Sequence, residues 1–321
     1  YKTYPFLDDF FLSCAIQPPV KTDMRTFEQW LEDLEYFTLD EIGLDRDELP
    51  GLLERFIIRM LERCSGEQLN VESITIMSGC DKDGNPEVPE LTLKKGDVVS
   101  IVGATGSGKS RLLSDIEWLA QGDTPTKRRV LINGQIPPQS LRFSIDKKPV
   151  AQLSQTMNFV MDITVEKFLH IHCDSHMIKD KDKKAKEILR AANLLSGEAL
   201  KMDMPVTSLS GGQSRALMIA DTAYISTAPI VVIDEIENAG INRKNAIELL
   251  LKAEKIVLMA THDPVLALQA DRRIVIKNGG IQRVIKTTDS ERAVLAELER
   301  MNEKIMQCRE RMRNGDLVES I

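Results

Sequence analysis

The chain has 321 residues, 42% of them hydrophobic, and a formal net charge of -7. That length predicts two domains or one large domain with additions and enough apolar material for a sizeable core. The acidic balance argues against a protein held on nucleic acid by general electrostatics, which needs a concentrated basic face. Five cysteines, Cys14, Cys64, Cys80, Cys173 and Cys308, are scattered without a C-x-x-C pair, so neither a disulfide framework nor a standard zinc spacing is predicted, and a reducing compartment is expected. No uninterrupted apolar run approaches the ~20 residues of a bilayer span, and no n-region and h-region pair is found at the start. The expectation is a cytoplasmic protein that is peripheral to a membrane, if at all, through a partner.

In chain order, residues 1–66 read as a separate helical unit. Phe27, Trp30, Leu31, Leu34 and Phe37 recur at helical spacing, with Thr26 and Gln29 placed as a capping box. A second amphipathic run extends from Pro50 to Cys64 through Leu52, Leu53, Phe56, Ile57, Met60 and Leu61. Such a unit either packs a small core of its own or docks a protein partner. From Leu69 the pattern becomes strand-like through Val71, Ile74 and Ile76, and returns at Leu91 and Leu93 after the turn-rich Asp81–Pro86. Asp81, Asp83 and Asn85 suggest a calcium loop, but later ligands and a terminal Glu are missing, so a hairpin turn is expected.

A β-branched run, Val98–Val102, then delivers the chain into Gly103-Ala-Thr-Gly-Ser-Gly-Lys109-Ser110, which fits G-x-x-x-x-G-K-[ST] at every fixed position. An apolar-periodic run follows through Leu112, Leu113, Ile116 and Leu119. Glycines let the backbone N–H groups turn inward, so this loop predicts a phosphate nest at a helix N-terminus. Lys109 is predicted to reach the β- and γ-phosphates and the Ser110 hydroxyl to ligate Mg²⁺.

Strands are predicted at Arg129–Ile132 and Pro149–Leu153, and helices between Thr164 and Leu200. His172, Cys173 and His176 lie within one helical turn, which makes a transition-metal site conceivable; partly packed helix side chains explain the same letters. Pro229–Asp234, Lys255–Ala260 and Arg273–Ile276 are short apolar runs separated by helical segments, the signature of a parallel sheet covered by helices. From Ser290 to Met312, Val294, Leu298, Met301, Ile305, Cys308 and Met312 alternate steps of four and three. That heptad seam either folds back on its own domain or binds a partner or a second copy.

Four further stretches occur in fixed order: Gln155, Leu209-Ser-Gly-Gly-Gln213, Ile230–Ile233 ending in Asp234-Glu235, and Thr261-His262-Asp263. With the P-loop upstream, residues 69–287 resemble the nucleotide-binding subunit of the ATP-binding cassette (ABC) family. The resemblance implies an α/β P-loop NTPase of ABC type, with a RecA-like parallel core sheet, an antiparallel β subdomain and a helical signature subdomain. The domains expected are 1–66, an N-terminal helical unit; 67–287, the ABC ATPase; and 288–321, an amphipathic helix and tail.

The resemblance also assigns roles. Gly103, Ala104, Thr105, Gly106, Ser107, Gly108, Lys109, Ser110 and Arg111 cradle ATP. Asp234 holds the Mg²⁺ shell with Ser110 and Gln155, and Glu235 is the general base. His262 is the switch histidine at the γ-phosphate, and Gln155 senses metal and water. Ser210, Gly211, Gly212 and Gln213 close over ATP held by a second subunit, most simply a second copy of this chain. Three departures are visible. Ile236 stands where many members have proline. The usual D-loop aspartate is missing at Ile241, with Asn242 as a partial substitute. Ile76 and Met77 stand where an adenine-stacking aromatic is common.

None of these touches the phosphate chemistry, so an active ATP hydrolase is expected. Its N-terminal unit, heptad tail and Asp-Glu-Ile wording, the last similar to the ATPase of iron–sulfur cluster assembly, lean the expectation to a soluble ATPase for protein remodelling or metallo-enzyme assembly. The alternative is the ATP-binding subunit of a membrane transporter whose permease docks beside Gln155. Chromosome or repair ATPases of this superfamily are disfavoured, because no long coiled-coil insertion or zinc module separates the P-loop from the signature.

Overall fold

The computed structural model describes residues 7, 10–11, 14, 16–19, 25–32, 45–64, 70–88, 90–143, 148–154, 159–176, 178–235 and 241–317. Leu34, Phe37, Gln155 and Ile236–Gly240 lie outside the described residues, as do the side chains of Leu61 and Cys64. The chain divides into two compact units, Tyr1–Gln68 and Leu69–Ile321.

The first unit carries α1 (Phe27–Glu32) and α2 (Leu49–Cys64). Thr26 and Gln29 form the reciprocal bonds of a capping box: Thr26 N–H donates to Gln29 Oε1 at 3.1 Å, and Gln29 N–H to Thr26 Oγ1 at 3.3 Å. Phe10, Phe11, Ile16, Trp30, Leu31 and Leu49 are buried together. The Phe10–Phe56 and Phe11–Trp30 ring centroids are each 5.3 Å apart, so this unit has an aromatic core of its own.

The second unit runs β1 (Ser73–Met77), β2 (Glu90–Lys94), β3 (Val98–Val102), α3 (Lys109–Glu117), β4 (Arg129–Ile132), α4 (Gln139–Phe143), β5 (Val150–Leu153), α5 (Val165–Ser175) and α6 (Lys181–Leu195). It continues through α7 (Gly211–Tyr224), β6 (Ile230–Asp234), α8 (Arg243–Lys252), β7 (Ile256–Ala260), α9 (Pro264–Gln269), β8 (Arg272–Lys277), β9 (Gly280–Lys286) and α10 (Asp289–Arg313). Strands β2-β1-β4 form an antiparallel sheet; β5-β6-β7-β3-β8-β9 form a second sheet that is parallel up to β8, with β9 antiparallel at its edge. The Asp81–Asn85 segment is a turn in which Asp81 Oδ1 accepts from the N–H groups of Asp83 and Asn85, each at 2.9 Å, as the hairpin reading expects.

The continuous apolar wording of β6 and β7 follows from burial on both faces of the large sheet. Alternate residues enter opposite cores, since successive strand side chains point to opposite faces. Val231, Ile233, Val257 and Met259 pack with α5, α6 and α7, including Phe168, Ile188 and Leu217. Ile230, Val232, Ile256 and Leu258 pack with Leu112, Leu113 and Ile116 of α3 and with Ile74, Ile76 and Leu93 of the antiparallel sheet. The parallel register aligns Asp234 with Ala260 and Ile101 with Ala260, so β3, β6 and β7 end at one rim.

Helix α10 resolves the heptad expectation in two halves. Its first turns are tied to the cassette by Arg273–Glu291 and Arg292–Asp271 ion pairs, and Gln269 donates to Glu299 Oε1 at 3.4 Å. Met301, Ile305 and Met312 further along are 58%, 49% and 67% exposed. Among the described residues no helix is long and apolar enough to cross a membrane.

Candidate functional site

The C-terminal rim of a parallel sheet is where strand ends and the following loops converge. Here β3 opens into the glycine loop, β6 ends in Asp234-Glu235 and β7 ends in Thr261-His262. Gly108 has φ +108°, and a Cβ there would stand 2.8 Å from Gly279 Cα in the β8–β9 turn. A side chain is therefore refused on backbone and steric grounds alike. Gly103 approaches the chain as closely, its hypothetical Cβ lying 2.5 Å from Ile276 O. Helix α3 starts immediately afterwards with no side-chain cap on its N-terminus, which leaves leading N–H groups for an anion.

Lys109 is buried, and its ammonium donates to Gly103 O at 3.0 Å and Ala104 O at 3.2 Å. It also lies 3.0 Å from His262 Nε2. An ammonium only donates, so Nε2 is the acceptor and the imidazole proton belongs on Nδ1. His262 Nε2 is in turn 3.8 Å from Glu235 Oε1. The Ser110 hydroxyl donates to Asp234 Oδ2 at 3.1 Å. Five sequence-predicted residues from three strand ends thus meet in one cluster.

Glu235 itself has φ +52°, a left-handed conformation that costs a non-glycine residue about 1–3 kcal/mol and clusters at functional sites. Its N–H donates to Ala260 O at 3.0 Å and its carbonyl accepts from Arg215 Nη1 at 2.8 Å. Arg111 turns to Asp115 Oδ1 at 3.2 Å within α3.

Ser210 and Gln213 sit at the start of α7 in a complete capping box: Ser210 Oγ accepts from Gln213 N–H at 3.3 Å, and Gln213 Oε1 accepts from Ser210 N–H at 2.9 Å. Gln213 is buried and also donates to Ala199 O at 3.4 Å. This redirects the expectation for Gln213, whose side chain shapes the helix start and faces inward instead of toward a ligand. Gly211 is exposed, with no atom within 4 Å of its hypothetical Cβ.

Side-chain contacts decide three other sequence readings. Asn242 does not replace the missing aspartate, because its side chain caps α8 by accepting from Asn245 N–H at 3.1 Å; neighbouring Ile241 is buried in the helical core. Ile76 is buried within the antiparallel sheet and has no face for a base. At His172, Cys173 and His176 the contacts favour packed helix side chains over a metal site, as the sequence reading also did: Cys173 is buried in the core, while His172 Nδ1 meets Asp221 Oδ2 of α7 at 2.9 Å. Among the described residues no group of three potential ligands is assembled.

Sequence reading missed Arg128. It is fully buried, pairs with Glu87 and with Asp115 Oδ2 at 2.9 Å, and donates to Gly279 O at 2.8 Å. Gly279 N–H donates to Ser107 O at 2.7 Å, so this ionic cluster braces the glycine loop from behind. Arg215 was missed as well. Neither has a local signature, because both act on residues far away in sequence.

Comparison with known proteins bears on this geometry. The ABC transporter family model matches residues 87–238. An uncharacterized ABC transporter ATP-binding protein of Methanocaldococcus jannaschii is 51% identical over 249 residues, which cover 77% of this chain and 95% of that protein. The chain belongs to the ATP-binding cassette family. It is an ATP hydrolase of that family.

A second relative of this cassette, the macrolide export ATP-binding/permease protein MacB of Shewanella sp., is 29% identical over 231 residues, or 67% of this chain; the cassette spans only 34% of MacB's length. Two solved structures share the fold. The ATP-binding subunit of an ABC transporter aligns with TM-score 0.52 and 18% identity over 69% of this chain and 92% of that one. The ADP conformation of an ATP-binding cassette of an ABC transporter aligns with TM-score 0.51 and 21% identity over 73% and 98%.

Proposed function

We propose that this cassette is the ATP-hydrolysing subunit of a membrane transporter and that it works as a head-to-tail pair of copies. The observation that carries the transport reading is the 51% identity to an ABC transporter ATP-binding protein across 95% of that protein's length. It reverses the lean toward a soluble remodelling ATPase, which rested on the appended helices and on the Asp234-Glu-Ile wording at the end of β6.

The chemistry is derived from the rim cluster. The open N-terminus of α3 and the loop from Gly103 to Gly108 receive the phosphates, and Lys109 exchanges its bonds to Gly103 O and Ala104 O for phosphate oxygens. Ser110 and Asp234 present oxygen atoms side by side, a donor set suited to Mg²⁺. Ser110 and Asp234 would hold Mg²⁺ there, with Gln155 proposed as a further ligand, and the bound ion would neutralise charge at the phosphates. Glu235 takes a proton from the attacking water as general base, and His262 donates to the γ-phosphate from Nε2 once Lys109 turns away and the ring takes the tautomer with its proton on that nitrogen. Ser210 still has its hydroxyl proton to give while its oxygen serves the capping box, so with the Gly211 and Gly212 N–H groups it reaches the γ-phosphate held by the other copy. ADP leaves that grip without its anchor, so hydrolysis opens the pair.

Mixing two defective chains tests the pairing. Lys109→Ala and Ser210→Ala, each weak alone, are expected to regain hydrolysis when combined, because the mixed dimer contains one site with an intact P-loop and an intact signature. Activity equal to the sum of the two separate preparations removes the two-copy site. Affinity purification from membranes in mild detergent tests transport: a co-purifying polytopic protein is expected, and recovery with soluble enzyme subunits alone returns the remodelling reading.

A further inference from the structure

The aspartate that the family resemblance leads one to expect is absent, with Ile241 in its place and buried, and the Asn242 side chain caps α8. A different connection is present. Helix α7 begins at Ser210–Gln213 and carries Arg215 in its first turns. Arg215 is buried, and its Nη1 donates to the Glu235 carbonyl at 2.8 Å. The Glu235 N–H is fixed to Ala260 O at 3.0 Å, and its φ is +52°.

Both backbone polar groups of the general base are therefore held, one by β7 and one by the signature helix. A left-handed non-glycine residue persists only where its surroundings over-determine it. A guanidinium is charged at every working pH and bonds strongly to an acceptor inside the protein. Relaxing Glu235 to an ordinary backbone conformation turns its carbonyl away from Arg215 and its carboxylate away from His262, now 3.8 Å distant.

We propose that Arg215 is a positioning residue that couples the signature motif to the catalytic glutamate of the same chain, and so joins the two ATP sites of the dimer. The coupling rests on the head-to-tail reading above. Ser210 grips the triphosphate held by the other copy, whereas Glu235 acts on the triphosphate of its own P-loop. A shift of α7 when its first turn closes is thus delivered to the base of the neighbouring site through one buried hydrogen bond. Two distinct sites and a residue with two backbone states are what such coupling requires.

The test uses the full chain, with turnover measured by phosphate release across ATP concentration and ATP affinity by calorimetry. Wild type is expected to show sigmoidal ATP dependence and turnover per chain that rises with protein concentration. Arg215→Met is expected to lower kcat by about 10- to 100-fold, the usual effect of misplacing a catalytic group, while ATP affinity is kept and the sigmoidal dependence becomes hyperbolic. Arg215→Lys, which retains a charged donor, is expected to recover much of both. Should Arg215→Met fail to fold, Arg215→Gln is read the same way.

A variant with wild-type kcat and sigmoidality overturns the coupling. So does a loss of kcat that runs in step with lost ATP affinity and lower melting temperature and is not relieved by lysine, which marks a merely structural arginine. Hyperbolic wild-type kinetics with concentration-dependent turnover overturn the coupling and leave the dimer standing. Turnover per chain independent of protein concentration overturns the two-copy reading and the coupling with it.

Discussion

Two helix N-termini in this cassette are proposed to meet phosphate, and they are built in opposite ways. Helix α3 starts behind Gly108 with no side chain capping it, so its donors stay open. Helix α7 starts behind Ser210 with a closed capping box that already uses the Gln213 N–H. The first is proposed as a cradle that holds triphosphate by itself, with Lys109 buried in its floor. The second offers a hydroxyl proton and the exposed Gly211 backbone, which suits closing over a phosphate held elsewhere. The first has a brace in the buried Arg128 cluster behind the P-loop, while α7 is tied to α5 near its far end by the His172–Asp221 pair. The difference teaches that a shared physical principle, anion binding at a helix end, serves capture in one place and sensing in the other.

The largest effect is expected where both ends converge. Glu235→Gln is expected to slow hydrolysis by about 10²- to 10⁴-fold, the range for losing a general base, while ATP binding is retained and closed dimer accumulates. Phosphate release and size-exclusion with light scattering check both halves. Monomer alone in saturating ATP breaks the division into capture and sensing.

Next comes the brace of the cradle. Arg128→Met leaves the carboxylates of Glu87 and Asp115 buried without their cation, and removal of one partner from such a pair costs about 3–5 kcal/mol. Urea denaturation is expected to show that loss; a change near zero denies the cluster its bracing role.

Lys109→Ala is expected to weaken ATP binding by roughly 10- to 100-fold or more, as the loss of charge-assisted bonds to phosphate implies. Calorimetry at fixed Mg²⁺ reads it directly. Unchanged affinity would mean that capture rests elsewhere.

The smallest effect concerns the pair that ties the far end of α7 to α5. The bond from Asp221 raises the His172 pKa above its ordinary value of 6.5, against the opposing effect of burial. This pair's stabilisation is therefore full below 6.5 and declines as pH rises through the raised value. His172→Gln is expected to remove about 1–2 kcal/mol at pH 6 and progressively less at higher pH. Melting curves across that window check it, and a loss that grows with pH reverses the assignment.

Much of the site was legible from letters because phosphate chemistry demands fixed residue types at fixed local spacing. A glycine loop must turn between a strand and a helix, so Gly103–Ser110 reads as a site in isolation. Asp234-Glu235 reads equally well as the polar end of a buried strand. The capping box of Thr26 and Gln29 and the alternating faces of β6 and β7 were likewise local. What escaped was which of two uses a side chain is put to once its surroundings are packed. Gln213 looked like a ligand residue and is a buried cap; Asn242 looked like a substitute for aspartate and is a cap as well. For His172 and Cys173 the letters allowed a metal site or plain helix packing, and the contacts decide for packing, since one meets Asp221 and the other the core.

By itself, then, the order of residues determined the strand-to-loop-to-helix units and the chemistry at each strand end, since backbone dihedrals, caps and periodicity act within a few residues. Only the tertiary structure decided that Lys109, His262 and Glu235 share one rim, that Arg128 braces the glycine loop through Gly279, and that Arg215 holds the carbonyl of a strained glutamate. Those contacts depend on strand order and on which buried charge finds which acceptor, and both are set by packing across distant parts of the chain.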